Sequence, residues 1–515
     1  MSEKANMKRN VIEYLRDSAQ KYPDKIALMD EKRKITFAEL NDEAKKIADA
    51  ITEKCGNIIN QPIAVYMEKG IECITAFLGI VYSGNFYSPL DCKMPISRIE
   101  RIVSALRPVA VIYNDKKPEN MDITGELISV QEACKQEKTD RNIINYLQVL
   151  DSDPVYVLFT SGSTGQPKGV VISHRSVIDY TEWLYNKFHF DENVIFGNQA
   201  PFYFDNSILD IYSMLRNGAA MNIIPEKLFL FPSKLLDYLN ENKINTLFWV
   251  PSALIGVANS GVLSEVRLDH IERILFCGEV MPNKQLNVWR KEYPDVLYAN
   301  LYGPTEITDV CTYYIVDRAF SDDESLPIGF NCENTGIIVL NNENQLVGEN
   351  EIGELCVRGT CLSLGYYGDS DKTDQVFVQN PLHDNYHDLI YRTGDMVKYN
   401  ERGELIYVCR KDYQIKHQGY RIELGEIETV CGSFEGVERV CAVYDDIDKR
   451  IVLFCSLNKQ CNEVTEKIIY TKLKQRLPSY MLPAVICLID SMPMNGNGKI
   501  DRVKLKSDVQ NKKDS

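Results

Sequence analysis

Apolar positions recur at helical spacing early in the chain, with Val11, Leu15 and Ala19 falling on one face. A second run starts at Phe37-Ala-Glu-Leu, with Thr36 placed as its cap, so residues 9–55 read as helices around a short strand. The pattern then switches back and forth between short β-rich runs and helical periods. Ile63-Ala-Val-Tyr, Ala110-Val-Ile-Tyr, Val155-Tyr-Val-Leu-Phe and Thr246-Leu-Phe-Trp-Val are the strand candidates. Such alternation predicts an α/β fold layered on substantially parallel sheets.

From about Pro327 the strand-like pieces crowd together. Ile337-Ile-Val-Leu and Gly353-Glu-Leu-Cys-Val lie between Asn- and Gly-rich turns and predict a β-rich subdomain. After Arg410 an α/β pattern restarts, with a helix over 423–430, strands at Val440-Cys-Ala-Val-Tyr and Ile451-Val-Leu-Phe, and a helix over 464–476. The expected organisation is a large multi-layered α/β domain over 1–409 and a small α+β domain over 410–515.

Composition narrows the function classes. The chain has 515 residues and a formal charge of −15, which argues against a nucleic-acid-coating protein, since that role needs a basic face. No stretch is apolar enough for a membrane span, and the first residues lack the apolar core of a signal peptide. Fifteen cysteines with no C-x-x-C pair read as small buried thiols in a reducing compartment, so a cytoplasmic enzyme is expected.

The richest chemistry is in Thr160-Ser-Gly-Ser-Thr-Gly-Gln-Pro-Lys-Gly169, directly after a predicted strand. Its glycines let the backbone curve, so that amides and the hydroxyls of Thr160, Ser161, Ser163 and Thr164 around Gly162 converge on an anion. Lys168 adds a mobile positive charge. Pro167 excludes a Walker A loop, which needs glycine there.

This string resembles the phosphate loop of the adenylate-forming superfamily, which holds acyl-CoA synthetases, luciferases and peptide-synthetase adenylation domains. Four further stretches resemble that family in the same order: Asn300-Leu-Tyr-Gly-Pro-Thr-Glu306, Tyr391-Arg-Thr-Gly-Asp395, Arg410 through Glu428, and Pro493-Met-Asn-Gly-Asn-Gly-Lys-Ile-Asp501. The resemblance implies activation of a carboxylate by ATP, with Asn300, Leu301, Tyr302, Gly303, Pro304 and Tyr407 around the nucleotide and Tyr302 offering a flat face to adenine. Thr305 would donate to the α-phosphate, Glu306 would hold Mg²⁺, Asp395 would accept the ribose hydroxyls, and Arg410 would steady ribose and phosphate. Lys499 would swing in to bridge substrate carboxylate and phosphate. Asp412 would be the hinge between two half-reactions, and Gly419 would leave room for an incoming thiol. Cys409 departs from the pattern, standing where the family usually has glycine.

Phe204-Asp-Asn-Ser resembles the peptide-synthetase motif in which aspartate pairs with the ammonium of an amino acid. By motif alignment, Asp205, Asn206, Leu209, Trp249, Leu275, Cys277, Leu301, Asp309 and Val310 line the pocket, with Trp249 filling much of it. Leu275-Phe-Cys-Gly-Glu279 resembles D-alanine:D-alanyl carrier protein ligases, so D-alanine is the expected substrate. Asn206 and Asp309 are polar where that family is apolar, which keeps another small, polar or basic amino acid open. An acyl- or aryl-acid:CoA ligase is a further alternative, opposed by Asp205, and a catalytically silent nucleotide-binding module is another, opposed by the retention of Lys168, Glu306, Asp395, Arg410 and Lys499. The expected acceptor is a phosphopantetheinyl carrier protein acting in trans on a monomeric enzyme.

Overall fold

The computed structural model describes residues 8–115, 117–118, 125–136, 143–161, 166–411, 414–457, 464–494 and 500–511. It forms two compact units. The first comprises 1–92, 106–158 and 169–411; the second comprises 93–105, 159–168 and 412–515. The second unit therefore includes two short segments that the sequence reading assigns to residues 1–409.

The first unit is a layered α/β body, as the pattern predicts. Its nine-stranded sheet has a parallel centre, running from Leu297–Tyr302 through Arg273–Phe276, Thr246–Trp249, Ile195–Asn198 and Ala220–Ile223 to Ile26–Met29. Antiparallel strands flank that centre, Lys34–Thr36 on one side and Thr312–Ile315 on the other. A second sheet places Ala110–Tyr113, Pro62–Tyr66 and Phe86–Leu90 side by side in parallel, with Pro154–Thr160 joined through Tyr87 and Tyr156. The helix Ile71–Tyr82 has every residue but Glu72 buried, which explains its lack of a polar face.

Local signals account for the boundaries. Thr36 caps the helix Phe37–Cys55: its hydroxyl accepts from Glu39 N at 3.2 Å, and Glu39 Oε2 accepts from Thr36 N at 2.8 Å. Such a reciprocal cap contributes about 1 kcal/mol. The β-rich region from 335 to 410 is an antiparallel sheet in which Gly353–Gly359 lies between Thr335–Leu340 and Leu389–Tyr399.

The second unit is α+β. Val437–Asp445 pairs antiparallel with Arg450–Leu457, which pairs in parallel with Val485–Leu488, and the helices Leu424–Gly432 and Glu466–Lys474 pack with them. Within this unit Arg98 Nη1 meets Glu426 Oε1 at 2.6 Å, and neither side chain is more than 2% exposed. Among the described residues no helix is long and apolar enough to cross a membrane.

Candidate active site

In the first unit the strand Leu297–Tyr302 runs into Gly303-Pro304-Thr305-Glu306 and a short 3-10 turn, Thr305–Ile307. Gly303 is required by close approach: a Cβ there would stand 2.3 Å from the carbonyl oxygen of Asp309. Thr308 and Asp309 then hold φ of 61° and 72°, a left-handed pair without glycine. Two side-chain bonds maintain this backbone. Thr308 Oγ1 donates to the Cys361 carbonyl at 2.8 Å, and Asp309 Oδ2 accepts from the Tyr180 hydroxyl at 2.7 Å. Glu306 is fully buried, and its Oε1 accepts from the Tyr366 hydroxyl at 2.8 Å. Asn300 donates to the Pro327 carbonyl at 2.8 Å.

Asp395 is presented by an unusual bulge. Glu354 faces Met396 and Cys356 faces Arg392, so Thr393, Gly394 and Asp395 together oppose the single residue Leu355. Gly394 has φ 73°, and a Cβ on it would lie 2.9 Å from an Arg410 nitrogen. Thr393 Oγ1 donates to the Leu355 carbonyl at 2.7 Å and accepts from Asp395 N at 3.0 Å. The Asp395 carboxylate emerges from the bulge between two partners: the Tyr302 hydroxyl donates to Oδ2, and Arg410 Nη1 approaches Oδ1 at 3.2 Å. Burial, followed by the charge of Asp395, pushes the Tyr302 phenol well above its usual pKa, so it remains a donor. The Tyr407 ring lies 6.5 Å from that of Tyr302. Tyr302, Tyr407, Asp395 and Arg410 are thus brought together, and the hydroxyl of Tyr302 is a tether for Asp395 in addition to its flat face.

The residues aligned to the substrate pocket divide into two sets. Leu209, Leu275, Cys277, Leu301 and Val310 are buried in one apolar cluster. Asp205 sits at the head of the helix Asn206–Asn217, with Oδ1 accepting from Asn206 N at 3.0 Å. Asn206 is 9% exposed, and its Nδ2 is buried with no hydrogen-bond partner among the described residues.

Trp249 departs from expectation. It pairs in register with Phe276, one residue past the Phe248–Leu275 pair, and side chains alternate across a strand. Its ring lies in a different apolar cluster, edge-on to Phe229, with Nε1 donating to the Gly197 carbonyl at 2.8 Å. Trp249 therefore does not fill the space beside Leu275, Cys277 and Leu301; Phe248 shares their cluster instead.

Three tyrosines escaped the sequence reading. Tyr180 engages Asp309, and Tyr366 engages Glu306. Tyr156 lies within the electrostatic reach of Asp205 and Asp309, with its buried hydroxyl lacking a hydrogen-bond partner among the described residues. Burial foremost raises its pKa well above the usual value. Only Tyr366 had a local signal, in Gly365-Tyr-Tyr-Gly368. The other two sit in ordinary helix and strand patterns.

In the second unit Thr160 ends its strand with Oγ1 buried and, among the described residues, without a hydrogen-bond partner. Ser161 is 3% exposed and donates to the Arg421 carbonyl at 2.7 Å. Lys168 opens the strand Lys168–Ser173. Gly162, Ser163, Thr164, Asp412 and Lys499 lie outside the described residues. Gly419 has a local reason to be glycine. With Gln418 at φ 53° and Gly419 at φ 81°, it forms the two-residue turn joining Gln414–His417 to Tyr420–Glu423. Cys409, at the end of the first unit, points into solvent, which explains how a Cβ is accommodated there.

Among the described residues no three His, Cys, Asp or Glu side chains are placed to hold a metal ion. A single buried carboxylate, Glu306, fits Mg²⁺ that arrives already bound to phosphate oxygens, because magnesium keeps most of its ligands as water and phosphate.

A turn presenting Asp395 and a Gly-Pro-Thr-Glu corner, on a layered α/β body, define a class that family comparison makes explicit. The chain belongs to the AMP-binding enzyme family, whose model matches residues 15–367, while the AMP-binding enzyme C-terminal domain matches 426–499. It is an adenylate-forming ligase. It is 31% identical over 97% of its length to the D-alanine–D-alanyl carrier protein ligase of Bacillus licheniformis, covering 99% of that protein. Tyrocidine synthase 1 of Brevibacillus parabrevis is 29% identical over 96% of this chain, which spans 45% of that longer protein. The crystal structure of IdnL1 superposes with a TM-score of 0.82 at 24% identity, over 95% of this chain and 100% of that one, and shows the fold. AMP-binding ligases use ATP, which the family assignment brings to this chain.

Proposed function

We infer that the enzyme activates an amino acid, with D-alanine the leading candidate, and transfers it to the phosphopantetheine thiol of a carrier protein acting in trans. The observation that carries this reading is Asp205, whose carboxylate heads a helix that contributes Leu209 to the same apolar cluster as Cys277 and Leu301. An α-ammonium would neutralise that carboxylate, whereas a fatty or aryl acid would leave it desolvated and without a cation from the substrate. The named function of the ligase from B. licheniformis agrees with this choice.

In the first half-reaction the substrate carboxylate attacks the α-phosphorus of ATP, and pyrophosphate leaves with the electrons of the broken P–O bond. Both reactants are anions, so the protein's task is positioning and charge neutralisation. Thr305 and Lys168, with the loop from Thr160 to Thr164, would face the phosphates. Asn300, Leu301, Tyr302, Gly303, Pro304 and Tyr407 would enclose the base, and Asp395 with Arg410 would fix the ribose. Glu306 would hold Mg²⁺, which supplies charge neutralisation on the phosphates. Lys499 would bridge the two anions. In the second half-reaction the thiol displaces AMP from the aminoacyl-adenylate and loses its proton, after a rearrangement at the 412 hinge that opens a path past Gly419.

A second reading, a small amino acid with a hydroxyl or carboxamide, is supported by the buried Asn206 Nδ2, which has no hydrogen-bond partner among the described residues. The deciding measurement is ATP–pyrophosphate exchange across D- and L-amino acids and short fatty acids. Exchange with D-alanine supports the first reading, and exchange with D- or L-serine or asparagine alone supports the second. Exchange confined to fatty acids would refute both. Lys499→Ala should lose about 2–4 kcal/mol of transition-state stabilisation in the same assay.

A further inference from the structure

We propose that Glu354 is the positioning residue for the nucleotide-facing turn Thr393–Asp395, and that its carboxylate also ties this turn to Lys411, the last residue of the first unit. The proposal rests on the reading that Asp395 meets the ribose.

The bulge creates a specific need. With three residues opposing one, the N–H of Gly394 has no strand partner on the Leu355 side, and its C=O lies one step past the Asp395–Arg410 pair on the other side. Leaving either one buried and unbonded would cost about 1–3 kcal/mol. Both are taken up. Glu354 Oε1 accepts from Gly394 N at 3.2 Å, and the Lys411 backbone N–H donates to the Gly394 carbonyl at 2.8 Å. The other oxygen of Glu354, Oε2, accepts from Arg392 Nη1 at 2.9 Å and lies 3.7 Å from Lys411 Nζ. Arg392 is itself braced by Asn344. One carboxylate thus contacts the turn's central amide, the residue before the turn and the cation at the chain junction.

Exposure ranks these contacts. The Glu354 side chain is 10% exposed and Arg392 24%, whereas Lys411 is 61% exposed. The Lys411 ion pair is therefore weak, the Arg392 pair anchors the carboxylate, and the bond to Gly394 N is the contact that holds the turn itself. Glycine is also the residue most free to turn its peptide plane. If the Gly394 amide is released, the adjacent Asp395 carboxylate loses its fixed aim at Tyr302 and Arg410. Glu354 touches no reacting atom in this scheme; it acts through Asp395.

The test uses the full chain and three variants, Glu354→Ala, Glu354→Gln and Glu354→Asp. Amide hydrogen exchange over 389–399 reports the turn directly, without reference to function. ATP Kd by calorimetry and KM values in pyrophosphate exchange report the consequence. Losing a bond to a charged group corresponds to roughly a 10- to 100-fold weaker ATP interaction for Glu354→Ala. The KM for the amino acid should stay within about twofold, since that pocket keeps its contacts. Glu354→Gln should recover part of the loss, because its carboxamide oxygen can still accept from Gly394 N, although its NH2 then faces the Arg392 donor. Glu354→Asp keeps the charge but is too short, and should resemble Glu354→Ala. If Glu354→Ala fails to fold, the Gln-versus-Asp order alone decides: Asp retaining wild-type ATP affinity while Gln loses it would overturn the proposal. Unchanged exchange and unchanged ATP Kd in Glu354→Ala would do the same. So would equal losses for ATP and amino acid in all three variants, the signature of a merely structural role. Faster exchange at the turn with unaltered ATP Kd would also overturn it, by separating the turn from the nucleotide. A wild-type protein that binds no ATP would instead refute the ligase reading, and the exchange arm would still decide whether Glu354 holds the turn.

Discussion

Two buried titratable groups in the first unit, His174 and Asp210, should give opposing pH dependences that conceal each other in the wild-type protein. His174 is 1% exposed, its Nδ1 accepts from Val11 N at 3.3 Å, and burial lowers its pKa from 6.5 to about 3. Asp210 is fully buried, and burial raises its pKa from 3.8 to about 7, against smaller opposing effects from Asn198 and Lys69. Asn198 Nδ2 donates to Asp210 Oδ2 at 2.8 Å, while Asp210 Oδ1 and Asn198 Oδ1 have no donor among the described residues. A proton kept on Asp210 supplies the donor that such an acid–amide pair needs. Between about pH 4 and 6.5 the unfolded chain protonates His174 while the folded chain does not, so this group makes stability rise with pH. Over the same window the folded chain keeps the Asp210 proton while the unfolded chain loses it, so this group makes stability fall with pH, until about pH 7. Each slope is about 1.4 kcal/mol per pH unit, and their sum is near zero. Replacing His174 by Asn should therefore leave a falling slope, and replacing Asp210 by Asn a rising one, differing by about 2.7 kcal/mol per pH unit. Guanidinium unfolding followed by tryptophan fluorescence reads this unit alone, because Trp183, Trp249 and Trp289 all lie in it. Parallel profiles for the two variants between pH 4.5 and 6 would refute the reasoning.

Two further predictions concern the site. Asp309→Val strands the buried Tyr180 hydroxyl and should destabilise the first unit by about 1–3 kcal/mol, whereas adding Tyr180→Phe should recover most of that loss in a denaturant double-mutant cycle. Gly419→Leu forces a side chain into φ 81° and, in the proposed thiol path, should slow thioester formation at least tenfold while pyrophosphate exchange stays within about twofold. Equal losses in both half-reactions would remove Gly419 from that path.

The strand candidates that the sequence patterns named all fall on strands of the structure, because buried strands are continuous apolar runs and their turns are rich in Gly and Asn. The same property hid which way Trp249 points. Thr246, Leu247, Phe248 and Trp249 are all buried, so no polar alternation marks the two faces of that strand. The family-like motifs pointed to Asp395 and Glu306, which sit in short strings that can be read from neighbouring residues alone. They could not find Tyr180 or Glu354, which act through contacts made 129 and 40 positions away and carry no local signature. Even the helix start at Phe37 was readable, since Thr36 and Glu39 satisfy one another within a single turn. What was legible was local, and what was missed was long-range pairing.

If position 309 lines the substrate pocket as proposed, the bond between Tyr180 and Asp309 also constrains how the enzyme could be redirected to a different substrate. A mutant library that varies only position 309 would mostly sample residues that leave the Tyr180 hydroxyl stranded, and would score substrate preference and folding loss together. Neutral drift toward an apolar residue at 309 faces the same obstacle unless a hydroxyl-free residue at 180 arrives first or together with it. Tyr180→Phe is the permissive step, because it removes a donor without adding bulk, and the apolar neighbours of its ring are already in place. Selectivity engineered at this wall should therefore be epistatic, with the helix position changed before the pocket position.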